Sequence, residues 1–442
     1  PTEIDMIHDA QSNPLAGANP RARDLFDAGC EAFATYSGDP VSLFDAAATE
    51  APDCLMIHLA RAWCFTLATE LEAAAAARAA LEEVAHLPAD DRTAGHLAGL
   101  RAALAGNWTE AARALEHHSL RFPRDLIALQ AGHLLDFLRA DARTLRDRIA
   151  RALPHWDGVP GQSLVLGMHA FGLEETGAYA RAEEAGRRAV EGDPRDCWAH
   201  HAVAHVMEME GRPADGLAWI TAREAHWAQD SNFLKVHNWW HRALCHIELG
   251  EPQAALALHD GPIQQGPAAM DLVDASAILW RLDLMGVDVG DRFAALSARW
   301  EALADGKLYP FNDLHAAMAH LGAGREAEAE RLLACMADAS GNETADWIRR
   351  TGRPLIEGFL AFRRGDHARA AELLWSARHI VNVFGGSHAQ RDVLDWTLTE
   401  AALRGGLSDM AAGLVAERLA LRPHSPVNLA FGDRLRHERA AA

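Results

Sequence analysis

Two short segments of the chain contain histidines whose type and spacing could support chemistry. CWAHHAVAHVMEMEGR contains His201 and His205, four residues apart, and HNWWHRALCHIELG repeats the spacing with His237 and His241. Residues four apart on a helix lie on the same side of it. Imidazole transfers protons near neutral pH and binds transition metals. The two pairs therefore predict one shared pocket, and three uses of that pocket stay open.

Metal binding is one of these uses. Two histidine pairs on neighbouring helices offer four nitrogen ligands, or three ligands and an open position. The His-Glu-x-x-His pattern of zinc peptidases does not occur, and no carboxylate stands at a standard offset from either pair. No cofactor is therefore favoured, although a divalent transition metal remains an alternative. Its ligands would be His201, His205, His237 and His241.

Acid–base chemistry without a metal is the second use, and the sequence favours it over metal-dependent chemistry. HAQRD places His388 and Asp392 four residues apart, so that the carboxylate could orient the imidazole, with Arg391 beside them to hold an anionic group. The predicted reaction is of the hydrolase or lyase type, and whether the chain is an enzyme at all stays open. The candidate catalytic residues are His205, His241, His388 and Asp392.

Binding of a small polar or aromatic molecule without chemistry is the third use. Counting back from each hairpin glycine places a histidine on or near one side of four successive first helices. A packed core has little reason to gather so many titratable rings. A non-catalytic scaffold for proteins or peptides remains the alternative. The predicted ligand-binding residues are His169, His201, Glu208, His237, Trp240, Asp274, Asn312, His315 and Arg391.

Helical hairpins must position these residues. Alanine-rich stretches with apolar residues three or four apart indicate amphipathic helices, and glycines break them at regular intervals. Gly177 and Gly211 are thirty-four residues apart, the period of the tetratricopeptide repeat. A small residue follows each hairpin glycine by five positions, as Ala182 follows Gly177. We predict an all-α, tetratricopeptide-like α-solenoid. Because other spacings are irregular, we expect it to curl around a central cavity, with an N-terminal helical cap region at 1–90 and the repeat array at 91–442.

Composition limits the partners. The chain has 442 residues, of which 49% are hydrophobic, and a formal net charge of −20. An excess of acidic residues disfavours nucleic acid and anionic membranes, and no apolar run reaches the length of a membrane span. The six cysteines form no CxxC pair, which is typical of a reducing compartment. We expect a cytoplasmic, bacterial protein that binds a small molecule, and a homo-oligomer is compatible with the sequence.

The block MHAFGLEETGAYARAEEAGRRAVEGDPRDCWAHHAVAHVMEMEGR (168–212), together with HNWWHRALCHIELG (237–250), resembles the tetratricopeptide repeat protein 38 family. The resemblance continues through MDLVDASAILWRLDL (270–284), FNDLHAAMA (311–319) and GSHAQRDVL (386–394), and it spans roughly residues 90 to 430. It implies a helical-repeat fold that occurs in bacteria and eukaryotes. It implies no particular reaction.

Overall fold

The computed structural model describes residues 6–441, which form α-helices joined by short turns. Within that range the only β-type pairing is two isolated bridges, His8 with Pro14 and Ser37 with Asn232. The predicted all-α, helical-hairpin fold is confirmed. None of the helices in the described range is long and apolar enough to cross a membrane.

The chain divides into two compact units. The first unit contains the described residues up to Val203 together with Ala225–Lys235, and the second contains Ala204–Glu224 and the described residues from Val236 onward. The expected boundary at residue 90 is a different division and stays a prediction, as does the curled shape. Helices of the first unit are α1 (Pro20–Thr35), α2 (Pro40–Glu50), α3 (Leu55–Leu67), α4 (Leu71–Glu83), α5 (Asp91–Leu104), α6 (Trp108–Arg121), α7 (Leu126–Leu138), α8 (Ala142–Ala152), α9 (Gln162–Glu175) and α10 (Tyr179–Gly192).

Three helices contribute residues to both units. These helices are α11 (Cys197–Met209), α13 (Glu224–Trp227) and α14 (Lys235–Glu248). The other helices of the second unit are α12 (Pro213–Ala222), α15 (Pro252–Asp260), α16 (Ala269–Leu284), α17 (Arg292–Trp300), α18 (Pro310–Gly322), α19 (Glu326–Ala337), α20 (Glu343–Trp347), α21 (Arg353–Arg363), α22 (His367–Arg378), α23 (His388–Arg404), α24 (Ser408–Leu421) and α25 (Pro426–Ala441). Three short 3₁₀ turns and a π-helical turn at Ile348–Gly352 complete the described elements.

The hairpin glycines adopt the left-handed conformation that ends a helix. At Gly177 φ is +78°, its N–H donates to the Glu174 carbonyl at 2.8 Å, and the Ala178 N–H donates to the Leu173 carbonyl at 2.9 Å. This pair of bonds satisfies carbonyls that the helix end would leave open, and glycine reaches the required φ without strain. The same positive φ and pair of bonds occur at Gly106, Gly211, Gly250, Gly324, Gly365 and Gly406.

The small residue five positions after each glycine lies where two helices touch. In the second unit, a Cβ added to Gly216 would stand 3.0 Å from the Cys245 Sγ atom. Ala255 and Ala329 occupy the same position in later hairpins and are fully buried. In the first unit Ala182 is also fully buried, and α9 packs against α10. The five-residue spacing between each hairpin glycine and a small residue therefore marks positions where two helices pack closely.

Asp313 on α18 carries a buried carboxyl group that forms no ion pair with the described residues. The Gly306 N–H donates to Oδ1 at 3.0 Å, and Oδ2 has no hydrogen-bond partner among the described residues. Burial raises the pKa of this carboxyl to about 8, and the negative charge of Asp305 adds to that effect. Asp313 is therefore mainly protonated at neutral pH.

We expect Asp313→Asn to remove a pH dependence of stability. The folded pKa is about 8, whereas an unfolded aspartate titrates near pH ~4. The wild-type contribution is therefore fully present below about pH 4 and is lost as the pH rises towards 8. Between pH 5 and pH 7 the wild type should lose about 2–3 kcal/mol of unfolding free energy relative to D313N. Urea denaturation at both pH values measures this difference, and equal losses in the two proteins would contradict it.

Candidate metal centre

Three histidine rings of the second unit meet in the protein interior. His205 lies on α11, and His237 and His241 lie four residues apart on α14. The His205 and His241 ring centroids are 4.4 Å apart, and those of His237 and His241 are 4.8 Å apart. One ring nitrogen of each histidine lies within 4.8 Å of the others. All three side chains are buried, at no more than 4% exposure.

Two of the three rings each contact a carboxylate through the Nδ1 atom. The His237 Nδ1 lies 2.7 Å from the Asp274 Oδ2, and the His241 Nδ1 lies 3.1 Å from the Glu208 Oε2. When the carboxylate is ionised it can only accept, and the Nδ1 of a neutral ring then carries the proton and donates it. The Nε2 atom of each ring then keeps a lone pair. In metal sites, the same carboxylate contact fixes the ring orientation and the tautomer that binds the ion.

Burial controls the charge of this cluster. It lowers the pKa of His241 well below its ordinary value, and the positive charges of His237 and Arg281 lower it further. The His241 ring is thus neutral at physiological pH. Burial raises the pKa of Glu208 to about 7, against the attraction of Arg422 and Arg281. A bound cation would favour the ionised carboxylate, so that metal uptake and loss of the Glu208 proton would be coupled.

Trp240 holds the two α14 rings in place. Its indole stacks on the His237 imidazole, with centroids 5.3 Å apart and an interplanar angle of 13°. The edge of His241 meets the indole at 5.0 Å and 77°. Because both imidazoles contact this fully buried side chain, their rotation is restricted.

Charged side chains from α14, α23 and α24 form a compensated network in the second unit. The Arg418 Nη1 donates to the Asp392 Oδ1 at 2.9 Å, and the Arg422 Nη2 lies 3.5 Å from the Asp392 Oδ2. Arg422 also reaches the Glu248 Oε1 at 3.4 Å. Despite burial, the positive charges of Arg418, Arg422 and Arg281 hold the pKa of Asp392 far below its ordinary value. These arginines therefore hold Asp392 as an anion, and its predicted catalytic role stays a prediction.

Six of the predicted site residues lie together in the second unit: His205, Glu208, His237, Trp240, His241 and Asp274. His315 and Asn312 are buried on α18, where the His315 Nδ1 donates to the Phe311 carbonyl at 2.7 Å. Burial lowers the pKa of His315 to about 4.

Four further predicted residues, His201, His169, His388 and Arg391, are described by their own contacts. His201 and His169 belong to the first unit, where the His201 ring contacts Phe171 and Trp198, with centroids 5.0 and 4.8 Å away. His169 is half-buried on α9. His388 is exposed as the first residue of α23, and the Arg391 Nη1 donates to the Gly386 carbonyl. The catalytic and ligand-binding roles assigned to these residues stay predictions.

Sequence reasoning missed the arginines near the centre. Arg281 follows Asp274 by seven residues, two helical turns along the same side of α16, and this spacing was a usable signal. Arg418 and Arg422 are four residues apart on and just after α24. Nothing local ties them to Asp392, because that pairing forms between separate helices.

A second histidine–carboxylate cluster, in the first unit, has different chemistry. The Asp125 Oδ2 accepts from the Arg92 Nε at 2.7 Å, the His96 Nε2 at 3.1 Å and the His118 Nε2 at 3.2 Å. The Trp63 indole N–H donates to the His96 Nδ1 at 3.0 Å. Hydrogen bonds already use the carboxylate oxygen and the His96 lone pair. This cluster is therefore a buried structural network and a poor set of metal ligands.

No family model matches the chain. Among solved structures, it is similar to a tetratricopeptide repeat protein from Parabacteroides merdae, with 16% identity over 62% of this chain and 98% of that chain and a TM-score of 0.36. It is also similar to the human IFIT1 dimer with m7Gppp-AAAA, with 14% identity over 99% and 96% and a TM-score of 0.42. For yeast Tom70 the values are 12%, 95%, 96% and 0.34. The similarity at these identities concerns the fold.

Proposed function

We propose that the second unit binds one divalent transition metal ion through His205, His237 and His241. The observation that carries the proposal is the pair of carboxylate–histidine contacts, Asp274 with His237 and Glu208 with His241. Each contact turns the Nδ1 of one ring toward a carboxylate and leaves Nε2 as the nitrogen offered to an ion, and a nitrogen of His205 lies within 4.8 Å of one nitrogen of each ring. The pairing reproduces the ligand and outer-shell arrangement that proteins use for zinc and related ions.

The chemistry of the donor set supports this interpretation. Imidazole nitrogen suits zinc, copper, nickel and iron. Three protein ligands leave a fourth position for water or a ligand, as in catalytic zinc sites. A bound ion in such a site would supply a water of lowered pKa or polarise a carbonyl group. The chain's own residues would hold the ion, and Trp240 would fix the ring geometry.

Acid–base chemistry without a metal is the second candidate. It is favoured by the contact between Glu208, with a pKa of about 7, and His241, whose pKa is lowered. Glu208 can lose and regain a proton near neutral pH, whereas His241 stays neutral and could accept that proton only transiently. We rank it second because a proton relay between Glu208 and His241 involves only one of the two histidine–carboxylate contacts. It does not use the contact between Asp274 and His237.

Titration of the full chain with Co²⁺ at pH 7.5 tests the proposal. We expect one ion per chain, the visible absorption bands of low-coordinate cobalt, and displacement by Zn²⁺, because zinc binds such sites more tightly. Competition with a chelator gives the affinity. Absence of saturable binding would contradict the proposal. Metal-free acid–base chemistry or a non-catalytic interaction scaffold would then account for the fold.

We propose as well that the chain belongs to the tetratricopeptide repeat protein 38 family. Two of the blocks that carry the resemblance, 168–212 and 237–250, contain all three proposed ligands. A family whose shared blocks include metal ligands would bind the same ion. A small-molecule partner at the open metal position follows from the same reasoning and is part of the proposal.

A further inference from the structure

Arg281 is a buried cation that no carboxylate in the described part of the chain neutralises by direct contact. Its side chain on α16 is 1% exposed. The Nη1 donates to the Ala277 carbonyl at 3.3 Å and the Nη2 to the Ala389 carbonyl at 2.9 Å, and the Nε has no hydrogen-bond acceptor among residues 6–441. Arg418 and Arg422, by contrast, contact carboxylates of the second unit.

Two carboxylates, Asp392 and Glu208, attract the buried guanidinium from a distance, but neither forms an ion pair or hydrogen bond with it. Burial removes the hydration of the charge, and attraction from carboxylates that do not contact the guanidinium replaces only part of that loss. Burial lowers the pKa of Arg281 to about 10, a value at which the guanidinium is still charged at neutral pH. Two of its donors are directed to neutral carbonyls, which do not balance a full charge. The unused Nε–H is a donor that carboxylates and phosphates bind well.

Arg281 lies one indole ring away from the proposed metal ligands. Its guanidinium carbon is 5.5 Å from the Trp240 ring centroid, and the same indole contacts His237 and His241. The positive charge of Arg281 also contributes to lowering the pKa values of His241 and His315. A bound metal ion would thus place a second positive charge near the Arg281 guanidinium. Asp274 and Glu208 are already engaged with histidines, and Asp392 with Arg418 and Arg422.

We propose that the metal-loaded second unit binds a small anionic molecule, a carboxylate or a phosphate, whose charged group pairs with Arg281. The inference rests on the proposed metal site and specifies the ligand class for it. Arg281 acts as a binding residue for the anion and is not a metal ligand. A ligand that also carries a metal-binding oxygen would span Arg281 and the open metal position.

The test uses the Co²⁺-loaded full chain and two probes, inorganic phosphate and succinate, each titrated by calorimetry with the cobalt spectrum recorded in parallel. We expect saturable binding of at least one probe, and the stronger probe identifies phosphate or carboxylate as the preferred group. Arg281→Gln should weaken that binding at least about 10-fold while the cobalt bands persist, because one charge-assisted pair is removed. Arg281→Lys should restore part of it. Arg292→Gln, which removes a partly exposed arginine paired with Asp260, is the matched control and should bind like the wild type.

The outcomes separate the two proposals. Cobalt binding without saturable binding of either anion to the wild type overturns the anion site alone, and this result needs no variant to fold. Equal anion affinity in R281Q and the wild type also overturns it. Absence of cobalt bands in the wild type overturns the metal site, and the inference that rests on it fails as well.

Discussion

Replacing His237 and His241 together by alanine is expected to lower the affinity for Zn²⁺ by at least roughly 100-fold, since loss of one outer-shell partner alone typically costs about 10–100-fold. Both rings contribute a nitrogen to the same small region, and both are held by a carboxylate and by Trp240. Their removal leaves His205 as the sole proposed ligand. Competition with a fluorescent zinc chelator measures the change.

His246→Ala is the control for this double variant. His246 lies on the same helix, where its Nδ1 contacts the Glu251 Oε2 at 2.7 Å, away from the proposed ligands. We expect H246A to bind zinc as the wild type does. Circular dichroism of each variant establishes that the helices persist, and His241→Gln provides a milder replacement. Unchanged zinc affinity in a folded H237A/H241A variant would contradict the assignment.

Asp125→Ala should cost about 3–5 kcal/mol of unfolding free energy, the usual effect of removing one partner of a buried ion pair. Its carboxylate accepts from Arg92, His96 and His118, and all of these groups are buried. Without it, both imidazole N–H groups lose their acceptor, and Arg92 retains only Asp9 as a charged partner, at 2.8 Å. Urea denaturation followed by tryptophan fluorescence measures the loss.

Asp91→Ala is the comparison for this second prediction. Asp91 pairs with Arg121 at 2.6 Å, but its side chain is 79% exposed. An exposed ion pair contributes roughly 0–1 kcal/mol, so D91A should be close to the wild type in stability. If D125A and D91A lost the same small amount, the first-unit cluster would not be the structural network described above.

The regular part of the fold could be predicted from the sequence because its causes are local. The left-handed φ of Gly177 and Gly211 is required by a helix end, and glycine meets that requirement at low cost. Likewise, the four-residue spacing of His237 and His241 places both side chains on the same side of the helix once the segment is helical. Ser387 caps α23 through a hydrogen bond to a residue three positions later, which is also a local interaction.

The partners of the site could not be predicted, because they come from helices distant in sequence. Asp274 is thirty-seven residues from His237, and Glu208 is thirty-three residues from His241. The sequence nominated both carboxylates without pairing them to a ring. The contacts between these carboxylates and the imidazoles become visible only after α11, α14 and α16 pack, and the preference for metal-free chemistry stays a prediction. The nearness of Asp392 to His388 in the sequence suggested a catalytic pair, and that role stays a prediction. The contacts of Asp392 with Arg418 and Arg422 form between helices and leave no local signal in the sequence.

Anomalous diffraction from crystals of the zinc-loaded chain, collected on both sides of the zinc absorption edge, tests the central assignment most directly. The account predicts one strong peak in the second unit, about 2.0–2.1 Å from a ring nitrogen of His205, His237 and His241. A fully loaded crystal with no peak among these rings, or with zinc only at His96, His118 and Asp125, would contradict it.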